Sequence, residues 1–444
     1  MIDNRKLGRL EQVMEKVNRR ANTWNIVTIS RIKGQLNAEI LRIALDKIQH
    51  RHPRLNSRIV YSGNSLFFQT EGTTKIPLRI VTHFDDEQWQ DVVKEEMNRE
   101  VESSKYLLRA VLINIADLPD IHYLITTGHH AIGDGLSSIQ LHSEILSYCQ
   151  QILAGNLNYP VLKLFPLPPI EKLLPPQTKG LKGKISTTLF LCRLAWKKLL
   201  HPPETLGFDK YAPIGKRYCH IINRQLNPEL TQQLINRCRQ EKTTVNSALS
   251  AAMMFAVASK INKGNHHKIR MNTLLAVDLR QRLETKINNQ HMAVLVSNVM
   301  GFHTLKRNKS FWELAREVKQ TMETSIQRGD IFKTILVAQQ MINFCFTFPQ
   351  QLVGTVLLSN IGKVNIPQNY GQLELEEISF ASSQALYAGM FTSHTATFRG
   401  KMMLNFVFSE PAISREKMED LVNNCMLYLH HVCQFKFNQN LTSV

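Results

Sequence analysis

No Cys-x-x-Cys pair and no Cys/His ligand spacing occurs in this chain. Its seven cysteines (Cys149, Cys192, Cys219, Cys238, Cys345, Cys425, Cys433) are odd in number and widely scattered. That pattern excludes a disulfide framework and a zinc site of ordinary spacing, and it suits a reducing compartment. Residues 1–6 carry no signal-peptide core, so the expected location is the cytoplasm. Long apolar runs are also missing. The longest small-and-apolar helix candidate, residues 247–259, is too short to span a bilayer and ends at Lys260, as a buried core helix would. There is no GxSxG elbow, P-loop, HExxH or complete GxGxxG. A serine-hydrolase nucleophile, a Walker-type phosphate cradle and a zincin site are thereby set aside. Acidic residues are in short supply, with 36 Asp and Glu against 54 Lys and Arg for a formal charge of +18. Such a surface favours an acidic partner: a phosphate-bearing cofactor, an acidic protein or an anionic membrane. Nucleic acid is not expected, because the basic residues are scattered and no nucleic-acid-binding signature accompanies them.

What is present is the composition of a folded protein, 43% hydrophobic and 20% charged, long enough at 444 residues for two domains. Helical spacing over residues 5–19 precedes a strand at 25–32 and a helix that must stop before Pro53. Short strands are expected at 57–61, 65–69 and 78–81, and a helix at 85–101. Residues 107–115 and 121–127 predict a hairpin, followed by a helix from Leu136 that Gly155 ends. Between about 158 and 210 the composition changes: prolines flank a basic, partly apolar stretch, 171–204, that predicts an amphipathic helix, read first as an inter-domain crossover packed on the body and second as a peripheral membrane or lipid contact. Strands are expected at 220–226, 269–277, 353–358, 386–398 and 401–409. Helices are expected at 228–238, 311–328, 330–340 and 414–434. The expected architecture is α/β with mixed sheets, divided into an N-terminal domain at 1–157, a crossover at 158–210 and a C-terminal domain at 211–444.

One stretch concentrates the chemistry: His129-His130-Ala131-Ile132-Gly133-Asp134-Gly135, between a strand and a helix. A tight turn at an element's edge holds a reactive side chain well, and histidine titrates near neutrality. Two other His-His pairs, 266/267 and 430/431, lack the following Asp-Gly and show that a bare pair carries little information. Metal binding is disfavoured because neighbouring strand residues point to opposite faces, which keeps the two imidazoles apart.

The stretch resembles the HHxxxDG signature of the chloramphenicol acetyltransferase-like superfamily. That group includes condensation domains of nonribosomal peptide synthetases, plant acyltransferases, and the alcohol acetyltransferase and phthiocerol dimycocerosyl transferase branch. Arg51-His52-Pro53-Arg54-Leu55 resembles the RHPxLR segment, with Asn56 in place of its last arginine. Val277-Asp278-Leu279-Arg280 resembles the segment opening the second half's core, and Ser359-Asn360-Ile361-Gly362 the SNxG loop of the alcohol acetyltransferase branch. The plant DFGWG motif is absent.

The resemblance implies two chloramphenicol acetyltransferase-like domains in a V, with a tunnel at their interface. It makes His130 the general base that deprotonates an acceptor hydroxyl or amine as it attacks an acyl thioester. His129, Asp134 and Gly135 become turn support, with Arg58 or Arg280 as the partner of Asp134. Gly135 is further expected to admit the thioester arm, and Ser359, Asn360 and Gly362 to line the tunnel. No metal and no permanent cofactor are implied; the donor is acyl-CoA or an acyl chain on an acidic phosphopantetheinyl carrier. Ester formation on an alcohol is the first expectation. A stand-alone amide-forming condensation enzyme and a non-catalytic carrier- or lipid-binding relative are the alternatives.

Overall fold

A computed structural model describes residues 4–22, 24–84, 86–200, 202–261, 268–351 and 353–434. Both the 266/267 histidine pair and the polar C-terminal tail lie outside the described residues. The fold is α/β with two mixed six-stranded sheets, one in each of two compact units.

The first unit comprises residues 1–174, 279–295 and 361–383. Its sheet runs in the order Asn369–Tyr370, Leu373–Ser382, Ile26–Lys33, Leu118–Gly128, Leu108–Ile115, Leu78–His83. The last two strands are parallel and the other pairs antiparallel. Residues 121–127 of the fourth strand are all buried, as expected for a strand covered on both faces. Two neighbouring threonines show what covers it. Thr126 meets His142 of the helix Gly135–Leu153 at 2.7 Å, while Thr127 donates 2.8 Å to Glu96 of the helix Trp89–Asn98. Consecutive strand side chains point to opposite faces, so these helices sandwich the sheet. A small second sheet pairs Arg5–Lys6 and Arg58–Ser62 with Ser65–Gln69.

The second unit comprises residues 175–278, 296–360 and 384–444. Its sheet order is Val296–Lys306, Lys268–Asp278, Val356–Lys363, Phe391–Phe398, Lys401–Glu410, Tyr218–Leu226. The helix Val245–Ile261 is its core, with Ala248, Ala251, Ala252, Ala256 and Met254 fully buried against Phe311–Gln327 and Arg415–Gln434. Small residues bring the helix axes close enough for that packing.

The chain passes from first to second unit at 174/175, inside the expected crossover. It then re-enters the first unit twice, in segments that the sequence reading places wholly within 211–444. Besides the short Asn369–Tyr370, two long strands have no counterpart in the sequence reading. Leu373–Ser382 carries Glu374, Glu376 and Glu377 and has an irregular register between Leu375 and Glu377, which breaks the alternation that marks a strand. Val296–Lys306 alternates well but is interrupted by Gly301. Several expectations shift, and three bear on the sheets. The helix starting at residue 5 begins at Arg9, because Arg5 and Lys6 pair with Phe68 and Phe67. The strand expected from residue 386 begins at Phe391. Ser359, Asn360 and Ile361, expected in a loop, belong to the strand Val356–Lys363, with Gly362 in left-handed backbone at φ 73°.

Candidate active site

The strand Leu118–Gly128 ends at the two histidines, and the chain is turned there by two backbone bonds: His129 N–H to Leu107 C=O at 2.9 Å and Ile132 N–H to His129 C=O at 3.0 Å. Within that turn the imidazoles diverge. His129 is buried; its Nδ1 accepts from Ala131 N–H at 3.0 Å, which puts the ring proton on Nε2, 2.9 Å from Glu15 Oε2. His130 is partly exposed, and its Nδ1 lies 2.8 Å from Gly133 C=O. A carbonyl can only accept, so Nδ1 carries the proton and Nε2 is left with the lone pair. Burial lowers the His130 pKa below the ordinary imidazole value, against a smaller raising effect of the Gly133 carbonyl. At neutral pH the ring is therefore an unprotonated base with a fixed tautomer.

Asp134 is turned away from this chemistry and fully engaged. It is the N-cap of the helix Gly135–Leu153, accepting from Ser137 N–H at 3.0 Å, while its own N–H reaches Ser137 Oγ at 2.8 Å. Arg280 binds both carboxylate oxygens, at 2.8 and 2.9 Å, and Leu295 N–H adds 2.9 Å to Oδ2. Arg280 and Leu295 stand near the two ends of the 279–295 segment, whose ends are tied by Leu279 N–H to Leu295 C=O at 2.9 Å. Burial alone would raise the Asp134 pKa. The Arg280 guanidinium and these N–H donors outweigh it and hold the carboxyl below its usual range.

Of the two arginines read as partners of Asp134, the structure selects Arg280. Arg58 instead donates to Glu71 C=O at 2.8 Å and to Gln69 at 3.2 Å, at the edge of the small sheet. The sequence offered no means of choosing, because the 146 positions between Asp134 and Arg280 are closed only by the tertiary fold. The Arg51-His52 segment serves the scaffold: Arg51 Nε and His52 Nε2 each lie 2.8 Å from Glu144 on the helix that Asp134 caps. Gly135 is also explained from within. A methyl group there would come within 2.6 Å of the buried Phe380 ring, so close packing against an aromatic side chain already calls for glycine at this position. Ser359, Asn360 and Gly362 sit together on one strand.

Glu15 is a buried neighbour of the turn that the sequence reading missed. It is buried, it accepts from Ser103 Oγ at 2.7 Å and pairs with Arg19, and its pKa falls to about 2. Burial opposes that fall; His129 and the other partners overcome it. A signal existed: Glu11, Glu15 and Asn18 recur at helical spacing on the apolar face of Arg9–Ala21. The thiol of Cys149, on the helix behind the site, is pushed up to about 12 by burial and is inert as a nucleophile. Among the described residues no group of three His, Cys, Asp or Glu could hold a metal ion.

Comparison with known proteins divides along the chain. Residues 11–162 match the condensation-domain family, and residues 217–409 match the family described as the phthiocerol/phthiodiolone dimycocerosyl transferase C-terminus. A probable alcohol acetyltransferase, FCK4, of Fusarium pseudograminearum is 23% identical over 331 residues, 68% of this chain and 66% of that protein. Chondramide synthase cmdD of Chondromyces crocatus is 26% identical over 249 residues, 52% of this chain and 6% of that much longer protein. The chain thus spans just under two thirds of one curated relative and a small part of the other. The solved structure of TRI3 trichothecene 15-O-acetyltransferase from Fusarium sporotrichioides superimposes with a TM-score of 0.75 at 12% identity, covering 97% of this chain and 96% of that one.

Proposed function

We propose, from the matches to a condensation domain over residues 11–162 and to the dimycocerosyl transferase C-terminus over residues 217–409, that the chain moves an acyl group from a thioester to an acceptor hydroxyl, with His130 as general base. The observation that carries this reading is the Nδ1–Gly133 bond, which leaves a lone pair on Nε2 of a ring whose pKa burial has lowered. Nε2 takes the hydroxyl proton as the oxygen attacks the thioester carbonyl. The tetrahedral intermediate then expels the thiolate; the C–S bond breaks, an ester remains, and the imidazolium returns the proton to sulfur. Thioesters are activated already, so no enzyme-bound acyl intermediate is needed. Asp134 takes no part in proton movement: both of its oxygens are occupied by Arg280, Ser137 and Leu295. Its task is to keep the turn in place.

The donor is acyl-CoA or a phosphopantetheinyl carrier, both anionic, in keeping with the basic chain. An amide-forming condensation is the second reading, favoured by the condensation-domain match over residues 11–162. One experiment separates the two: a panel of acyl thioesters, each offered an alcohol and an amine of the same carbon skeleton, with products read by mass spectrometry. Ester is the expected product, and amide alone would overturn the assignment. In the same assay His130→Ala should lose about 10²–10⁴-fold in turnover while its unfolding midpoint is retained. Unchanged turnover would remove His130 from the mechanism, and product from neither acceptor would favour a non-catalytic relative.

A further inference from the structure

The helix Gly180–Leu200, in the second unit, is apolar on two opposite faces. Its inner face carries Gly183, Phe190, Leu191 and Leu194. On this side Arg193 pairs with Asp330 at 2.5 Å and Lys198 lies over the Phe344 ring at 5.4 Å. A surface helix normally turns polar residues to the other side. This one turns out Leu181, Ile185, Leu189, Trp196, Leu199 and Leu200, which are 74, 53, 63, 61, 75 and 49% exposed. At 3.6 residues per turn these six fall within an arc of about 100°, along a ridge about 29 Å long. Lys182, Lys184 and Lys197 are exposed beside it, and no acidic residue occurs between Glu171 and Glu204.

We propose that this ridge docks the protein on an anionic lipid surface. Two features together select that occupant. Aliphatic side chains and one tryptophan on a lysine-edged stripe are the composition of a helix lying in the headgroup boundary, with the apolar crest among the acyl chains and the ammonium groups among phosphates. The absence of acidic residues along the whole stretch between Glu171 and Glu204 matches the negative potential of such a surface. No single helix among the described residues is long and apolar enough to cross a membrane, so the contact is peripheral.

The test uses the full chain and needs no turnover, so it stands or falls separately from the acyl-transfer reading. Vesicles of phosphatidylcholine with about 30% phosphatidylserine, and of phosphatidylcholine alone, are sedimented with the protein at low and at high salt. Expected are binding to the anionic vesicles, weakened about tenfold or more by salt, and a blue shift of tryptophan emission that disappears in Trp196→Phe. Leu189→Glu and Leu199→Glu, both at exposed positions, should keep the wild-type melting temperature and lose binding at least about tenfold. A chain that stays in the supernatant with anionic vesicles overturns the proposal, as does full binding by the glutamate variants. If those variants bind vesicles normally but lose an acidic carrier protein, the ridge belongs to that partner instead.

Discussion

Asp134 and Arg280 form a fully buried, doubly bonded pair, and a pair of this kind is sensitive to the loss of one member. Asp134→Ala strands a guanidinium and removes a helix cap, so a loss of about 3–5 kcal/mol is expected from chemical denaturation. Removing both charges, as Asp134→Leu with Arg280→Leu, should cost less than the sum of the two single changes, because neither partner is then left unpaired. Full additivity would mean that the pair does not couple. His130 makes a different prediction. Its pKa is depressed, so the neutral, base-competent ring persists below the ordinary imidazole pKa of 6.5. The acid limb of kcat/KM should therefore be centred below about pH 6.5. An acid limb centred above 6.5 would contradict a desolvated base. Glu15 contributes to stability rather than to rate. Its pKa drops from 4.5 to about 2 on folding, so its contribution is present above pH 4.5 and is lost as pH falls toward 2. Glu15→Gln should flatten that part of the stability profile.

At the scale of elements, Gly135, the first residue of the capped helix, packs closely against the neighbouring sheet. Alanine is the better helix former by about 1 kcal/mol, so Gly135→Ala would stabilise an open helix start. Here the added methyl meets the Phe380 ring, and a net loss of about 1–3 kcal/mol is expected by thermal or chemical unfolding. Phe380→Leu in the Gly135→Ala background should recover part of it, since the smaller side chain vacates the space. This contact also marks where the sequence stops being readable. The strand into the turn, the turn residues and the helix after it are all local signals, and the structure places each within three residues of its expected bounds. Phe380 lies on the one long strand of the first sheet whose alternation is broken by Glu376-Glu377, and Arg280 lies in a segment with no periodic signal. Both reach the site through long-range topology. The histidine and its turn could be read from neighbouring residues; of the groups that hold them, Arg280 entered only as one of two candidates supplied by the resemblance, and Phe380 not at all. Glu15 falls between these cases, since the polar stripe Glu11, Glu15, Asn18 was visible while its partner His129 was not.

For the whole molecule, the charge of +18 bears on which donor the protein meets. A net charge says little about fold, but it sets how fast an anionic ligand arrives and how steeply that rate falls with ionic strength. Acyl-CoA carries several phosphate charges; an acyl chain on N-acetylcysteamine presents the same thioester with none. If the basic surface steers the donor, kcat/KM for acyl-CoA should fall about tenfold between roughly 20 mM and 0.5 M salt, over which the Debye length shrinks from about 20 Å to about 4 Å. The neutral thioester should change by less than about twofold over the same range, because a screened field does nothing to an uncharged ligand. Turnover at saturation should be insensitive to salt for both, since His130 acts at contact distance where screening is weak. An equal fall for the two donors would mean that salt acts on the protein itself, and would leave the positive charge to the lipid-facing helix. If the CoA thioester shows no salt dependence but an acyl-loaded acidic carrier does, the surface is matched to a protein-borne donor, and the carrier becomes the physiological substrate to pursue.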